Sequence, residues 1–188
     1  MKIRSTTIIC SLLALCGIAM SLGRDVSGQD SGASKVSVEI LNWEETQRLV
    51  ASHKGKIVVL DAWSTSCEPC KEEFPNLVKL HKELGRDVVC MSMSCDFAGI
   101  KNKPPEFYRE RVMKFLQAQG ATFQNILSNV PSDELFEQMD LASIPAVYVY
   151  GRDGKLAKRF DNDSIKTDSE AFTYKEVRSL VEKLLAKK

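Results

Sequence analysis

A chain of 188 residues, 44% hydrophobic and 27% charged, is long enough for one domain with a real core and too short for two comfortable ones. Its 26 Lys and Arg against 25 Asp and Glu leave a net charge of +1. Bulk electrostatics therefore give no reason to expect nucleic acid or a membrane surface as the main partner.

The first residues read as an address. A basic start, "MKIR", precedes the thirteen-residue apolar run "IICSLLALCGIAM" (8–20), and small residues follow at cleavage spacing. That three-part pattern predicts a secretory signal peptide over 1–23, cleaved near 21–23. The run is short of the ~20 residues of a spanning helix, so an uncleaved anchor is the weaker alternative. Residues 24–35, "RDVSGQDSGASK", are small and polar and predict a flexible leader. The folded domain is expected over 36–188. Cys10 and Cys16 depart with the signal, leaving Cys67, Cys70, Cys90 and Cys95 in a compartment where disulfides persist.

Within the domain, "VSVEIL" (36–41) alternates as a strand does. Asn42 and Glu45 then have capping-box spacing, opening a short helix that carries Trp43, Thr46, Leu49 and Val50. "KIVVLDAW" (56–63) is a nearly continuous apolar run, as in a strand buried on both faces. From Cys67 a helix carries Phe74, Leu77, Val78 and Leu84, and "DVVCMSMS" (87–94) is a second buried strand. A helix over 104–120 ends at Gly120, "FQNILS" (123–128) suits a short strand, and "PSDELFEQMD" (131–140) a short helix. "AVYVY" and "KLAKRF" make a hairpin turning at Asp153-Gly154, and Tyr174, Val177, Leu180, Val181, Leu184 and Leu185 stripe a final helix. The order is β-α-β-α-β, an α(β)α insertion, then β-β-α. It predicts a three-layer α/β/α domain with a mixed central sheet and an N-terminal strand extension.

Chemistry concentrates in "LDAWSTSCEPCKEEFP" (60–75), where a buried strand gives way to a helix at Cys67. The free N–H groups and dipole of the helix terminus favour the Cys67 thiolate. Cys70, one turn on, is near enough for a small disulfide and points back into the protein, and Pro69 is tolerated in the first turn. Two sulfurs at this spacing suit a redox pair, half of a metal site or a structural clip. His53 and His81 read as surface residues.

Several positions agree together with a known pattern: Asp61 six residues before Cys67, Trp63 at the start of the loop, "CEPC" itself, Pro75 eight residues after Cys67, and "SIPAVYVYGRDGKL" around Pro145. The chain from 36 to 188 resembles the thioredoxin superfamily, and within it the exported TlpA/ResA-like thiol–disulfide oxidoreductases. That resemblance implies a thioredoxin fold and a catalytic dithiol, with Cys67 attacking and Cys70 resolving. Asp61, desolvated in its strand, would accept the Cys70 proton through water. A cis Ile144–Pro145 bond would turn the Ile144 backbone toward the sulfurs, with Trp63 and Pro69 lining the substrate groove. Glu68 beside Cys67 opposes its thiolate and so favours a reductase.

The resemblance further implies exported disulfide proteins as substrates, apocytochrome c among them, and a membrane thiol donor. It implies a monomer with no cofactor beyond the Cys67–Cys70 disulfide and no resident metal. Two positions depart from the pattern: Ser66 stands where most relatives carry an aromatic, and Asp61 where many ResA-like relatives carry an amide. Cys90 and Cys95, roughly 17 Å apart along an extended strand, are not expected to pair, and Cys90 reads as a buried apolar residue. The rival is a copper- or zinc-binding module built on the four sulfurs; its zinc knuckles are missing from the pattern, and no histidine follows His81 for copper.

Overall fold

The computed structural model describes residues 35–167 and 170–187. The expected signal segment and all but the last residue of the leader lie outside the described residues.

Six strands form one sheet in the order β1-β4-β3-β2-β5-β6. The strands are β1 (Glu39–Leu41), β2 (Ile57–Trp63), β3 (Val88–Ser94), β4 (Gln124–Ser128), β5 (Ala146–Tyr150) and β6 (Leu156–Phe160). β1, β4, β3 and β2 run parallel, whereas β5 and β6 are antiparallel to their neighbours, so the sheet is mixed as predicted. The five helices are α1 (Trp43–Ser52), α2 (Glu68–Leu84), α3 (Pro105–Gln119), α4 (Ser132–Met139) and α5 (Tyr174–Ala186).

Strand alternation explains the layers. Every residue of β2 is buried, and successive side chains enter opposite cores. Ile57, Val59 and Trp63 pack with Phe74 and Leu77 of α2, Val112 and Leu116 of α3, and Val177 and Val181 of α5. Val58, Leu60 and Ala62 pack with Trp43 and Val50 of α1 and Leu135 and Met139 of α4. The result is the three-layer thioredoxin fold. Asp61 belongs by alternation to the first face, among α2 and α5.

The structure departs from the sequence reading at three places in the scaffold. β1 begins at Glu39 rather than Val36, because side chains take the earlier acceptors: Asn125 Nδ2 donates to Ser37 O at 3.1 Å and Arg109 to Val38 O at 3.1 Å. The inserted strand begins at Gln124 rather than Phe123, and β4 is paired on both edges, with β1 and with β3. The hairpin turn is longer than a two-residue one: Gly151 N–H bonds Lys155 O, and a register shift follows at Val149/Tyr150. The Gly154 φ of 77° is the left-handed turn conformation that glycine adopts without cost.

Asn125 is the hub of the insertion. Its buried amide donates to Ala121 O, Phe123 O and Ser37 O and accepts from the Ser92 hydroxyl. Replacement by Ala orphans these partners, so Asn125→Ala should lower unfolding stability by about 3 kcal/mol. Urea denaturation of wild type and variant measures this directly.

Candidate active site

Cys67 caps the N-terminus of α2, and its bond to Cys70 is formed: S–S 2.02 Å, Cα–Cα 5.3 Å. The two sulfurs are unequally placed. Cys67 is half-buried, whereas Cys70 is 2% exposed. The Cys70 N–H points at Cys67 Sγ from 3.3 Å, the kind of donor that favours a thiolate once the bond is reduced. Ile144 O lies 3.7 Å from the same sulfur, and the Ile144–Pro145 peptide is cis. "CEPC" and the "SIPA" loop, 77 residues apart, thus meet at the same end of the sheet, past the last residues of β2 and before the first of β5.

Two carboxylates hold the backbone on either side of the disulfide, and sequence reasoning found neither. Asp96, whose side chain is fully buried, accepts from Thr65 N–H at 3.0 Å, from the Thr65 hydroxyl and from the Ser94 hydroxyl, and pairs with Arg111 at 2.6 Å. It anchors the loop between β2 and Cys67. Asp163 accepts from Ala142 N–H and Ser143 N–H at 3.0 and 3.1 Å, anchoring the loop before Pro145. Arg159, paired with Asp161 at 2.7 Å, lies beside it. No local motif marks these residues; a polar side chain just past a strand end was the available signal.

Asp61 is 3% exposed, and Tyr174, the first residue of α5, donates its hydroxyl to Asp61 Oδ2. Burial pushes the carboxyl up to about 7, against the opposing effect of the Tyr174 bond and with a further upward push from Glu73. Tyr174 read from sequence only as a core stripe residue.

Other predicted positions need correction. Trp63 is fully buried, its ring 4.9 Å from Phe74 and 4.6 Å from Phe115, so it supports the site from beneath and offers no surface to a substrate. Glu68 is exposed, as is Pro69, and its carboxylate pairs with Lys71 at 2.5 Å. Solvent around this exposed carboxylate screens the charge that would oppose the Cys67 thiolate. His53 and His81 are half-buried rather than surface residues: His53 Nε2 is 3.5 Å from Gln124 Oε1, and His81 packs edge-on against Phe123.

Cys90 and Cys95 are free and buried. Burial, then the charge of Asp61, pushes Cys90 up to about 12; burial, then Asp96, raises Cys95 further. Neither is a thiolate at neutral pH. Among the described residues no group of three or more His, Cys, Asp or Glu is arranged to hold a metal ion, and none of the helices is long and apolar enough to cross a membrane.

Known proteins are similar to this chain. The family profile described as Redoxin matches residues 36–175. The thiol-disulfide oxidoreductase ResA of Bacillus subtilis is 25% identical over 154 residues, covering 80% of this chain and 77% of the relative. That of Geobacillus thermodenitrificans is 21% identical, covering 87% and 88%. Among solved structures, a thiol-disulfide isomerase from Corynebacterium glutamicum superposes with a TM-score of 0.57 at 16% identity, over 73% of this chain and 86% of that one. A DsbF homologue from Corynebacterium diphtheriae gives 0.53 at 21% identity, over 72% and 76%.

The raised Asp61 carboxyl makes stability pH-dependent. Between its unfolded value near 3.8 and its folded value near 7, the folded state holds more protons. Its contribution is therefore complete below pH 3.8 and is lost as pH rises through 7. Between pH 5 and 8.5, wild type should lose about 3 kcal/mol relative to Asp61→Asn. Parallel urea titrations of the two oxidised proteins at both pH values check this.

Proposed function

Since the chain belongs to the Redoxin family and is a ResA-like thiol–disulfide oxidoreductase of the thioredoxin superfamily, we propose that it works outside the cytoplasm as a reductase of exported protein disulfides. The observation that carries this reading is the asymmetric pair: an accessible Cys67 facing the Ile144 carbonyl, backed by a sealed Cys70.

In the reduced protein, the Cys67 thiolate attacks one sulfur of a substrate disulfide, forming a mixed disulfide and releasing the other sulfur as a thiolate that takes a proton from water. Asp61 accepts the Cys70 proton through water. The Cys70 thiolate then attacks Cys67 Sγ, re-forming the internal disulfide and releasing the second substrate sulfur. An extended substrate segment pairs with the backbone at Ile144–Pro145, as strands add to an open edge, while the exposed Pro69 borders the same surface.

The dithiol is the redox group, and no cofactor is invoked. The basic and apolar N-terminal pattern supports export. The resemblance to the ResA-like branch supports clients of the apocytochrome c kind, re-reduction by a membrane thiol donor, and action as a monomer.

Cys70→Ser should accumulate mixed disulfides through Cys67 when offered an oxidised peptide, and Cys67→Ser should accumulate none; non-reducing electrophoresis reads both. The reduction potential of the pair is expected at or below that of thioredoxin, about −270 mV. A value near −120 mV would reverse the assigned direction. Because Glu68 is solvent-exposed and its field is screened, Glu68→Gln should move that potential by less than about 10 mV in a glutathione or dithiothreitol equilibrium.

A further inference from the structure

We propose that Tyr174 is a positioning residue for the resolving step: its hydroxyl fixes the Asp61 carboxylate by one oxygen and leaves the other for the Cys70 proton. This rests on the reading of Asp61 as the proton acceptor.

The geometry is specific. Asp61 sits in the middle of β2, flanked in register by Ser92 of β3 and Val147 of β5. Among the described residues, the Tyr174 hydroxyl is the hydrogen-bond partner of its carboxylate, donating to Oδ2. Tyr174 is itself held by its position: it opens α5 behind a capping box in which Glu176 accepts from Thr173 N–H at 2.9 Å. A rotation of α5 therefore moves the hydroxyl off the carboxylate. On the outer side, Tyr174 lines a cleft of about 350 Å³ with Glu73, Asn76, Lys79 and Arg178. The cleft reaches Tyr174, and Asp61, 3% exposed behind it, does not line it.

The charged and titratable groups facing this pair come from two elements. α2 supplies Glu73, whose charge pushes both Asp61 and Tyr174 upward. β3 supplies Cys90, whose thiol stays neutral, and α2 also supplies Cys70, the proton source. Donation from Tyr174 is the one effect that favours the Asp61 carboxylate over its neutral form.

The proton balance is simple. Asp61 carboxylate takes the Cys70 thiol proton, the Cys70 thiolate bonds Cys67 Sγ, and the substrate leaves as a thiolate. Asp61 then loses its proton to water, and the Tyr174 hydroxyl keeps its own proton throughout.

Tyr174→Phe keeps the ring and removes the donor. In the reduced protein the Asp61 titration, followed by carboxyl carbon NMR, should move up by about one pH unit. The rate of mixed-disulfide resolution should fall up to about tenfold on the acid side, while the alkaline plateau stays at the wild-type value. Tyr148→Phe removes another buried hydroxyl bond, to Met139 O, on the opposite face of the sheet, and should leave both readouts unmoved. Replacing Tyr174 by 3-fluorotyrosine, a stronger donor of nearly the same size, should move the midpoint down, which keeps the test open if the Phe variant fails to fold. An Asp61 midpoint that stays in place in both Tyr174 variants would falsify the inference. If instead Asp61→Asn leaves the pH profile of resolution unchanged, the acceptor role itself fails and the positioning role falls with it.

Discussion

A carboxylate in the middle of an otherwise apolar strand is the constraint on which the rest of this structure turns. Asp61 has Leu60 and Ala62 as chain neighbours, and every residue of β2 is buried. An isolated charge there is too costly to persist, so the group either gains a partner or stays protonated. Here it does part of each: Tyr174 donates to it, and burial still lifts it to about 7. The partner comes from a helix 113 residues downstream, so the last element of the chain is tied to the chemistry as well as to the core. α5 must start where its capping box starts it, because a register shift of one residue would turn Tyr174 some 100° away.

The disulfide is then held between two loops whose backbone is fixed from below. Asp96 holds Thr65 by its N–H and its hydroxyl, and Asp163 holds Ala142 and Ser143 by their N–H groups, each carboxylate having its charge met by an arginine. Charge-assisted bonds of this kind are shorter and stronger than neutral ones, which suits segments with no strand ladder of their own. Beneath them, Trp63, Phe74 and Phe115 form a solid aromatic floor. The positions of Cys67 and Ile144 thus derive from long-range polar anchors set over a dense apolar base. A substrate segment meets a surface already in place, with little ordering left to do on binding.

What was legible in the sequence follows from the range of the interactions involved. Local signals were read well: the capping box at Asn42, the stop at Gly120, the buried runs of β2 and β3, and the amphipathic stripe of α5. Asp61 stood out because a charge inside an apolar run has few innocent explanations. Tyr174, Asp96 and Asp163 did not, since each acts on a partner that only the fold brings near, and a tyrosine on an apolar stripe or an aspartate after a strand is ordinary by itself. Trp63 shows the reverse error. Its place in the motif suggested a groove residue, while its place in β2, on the face packed by α2 and α3, seals it completely. Glu68 was read alone, and its partner Lys71 lies three residues on, at the spacing where helix side chains meet.

That pairing changes where the redox bias of the dithiol comes from. With Glu68 solvated and screened at the surface, two influences remain on the sulfurs. The N-terminus of α2 and the Cys70 N–H favour the Cys67 thiolate, which stabilises the reduced form and makes the pair more oxidising. Asp61, when ionised, opposes thiolate formation in the same core, an effect visible in the upward push it gives both Cys90 and Cys95. The first influence is fixed by the backbone and does not titrate. The second switches on as Asp61 loses its proton near pH 7. On this reading the dithiol becomes more reducing as a single buried carboxylate loses its proton, and the Tyr174 bond, by favouring the carboxylate, lowers the pH at which that begins.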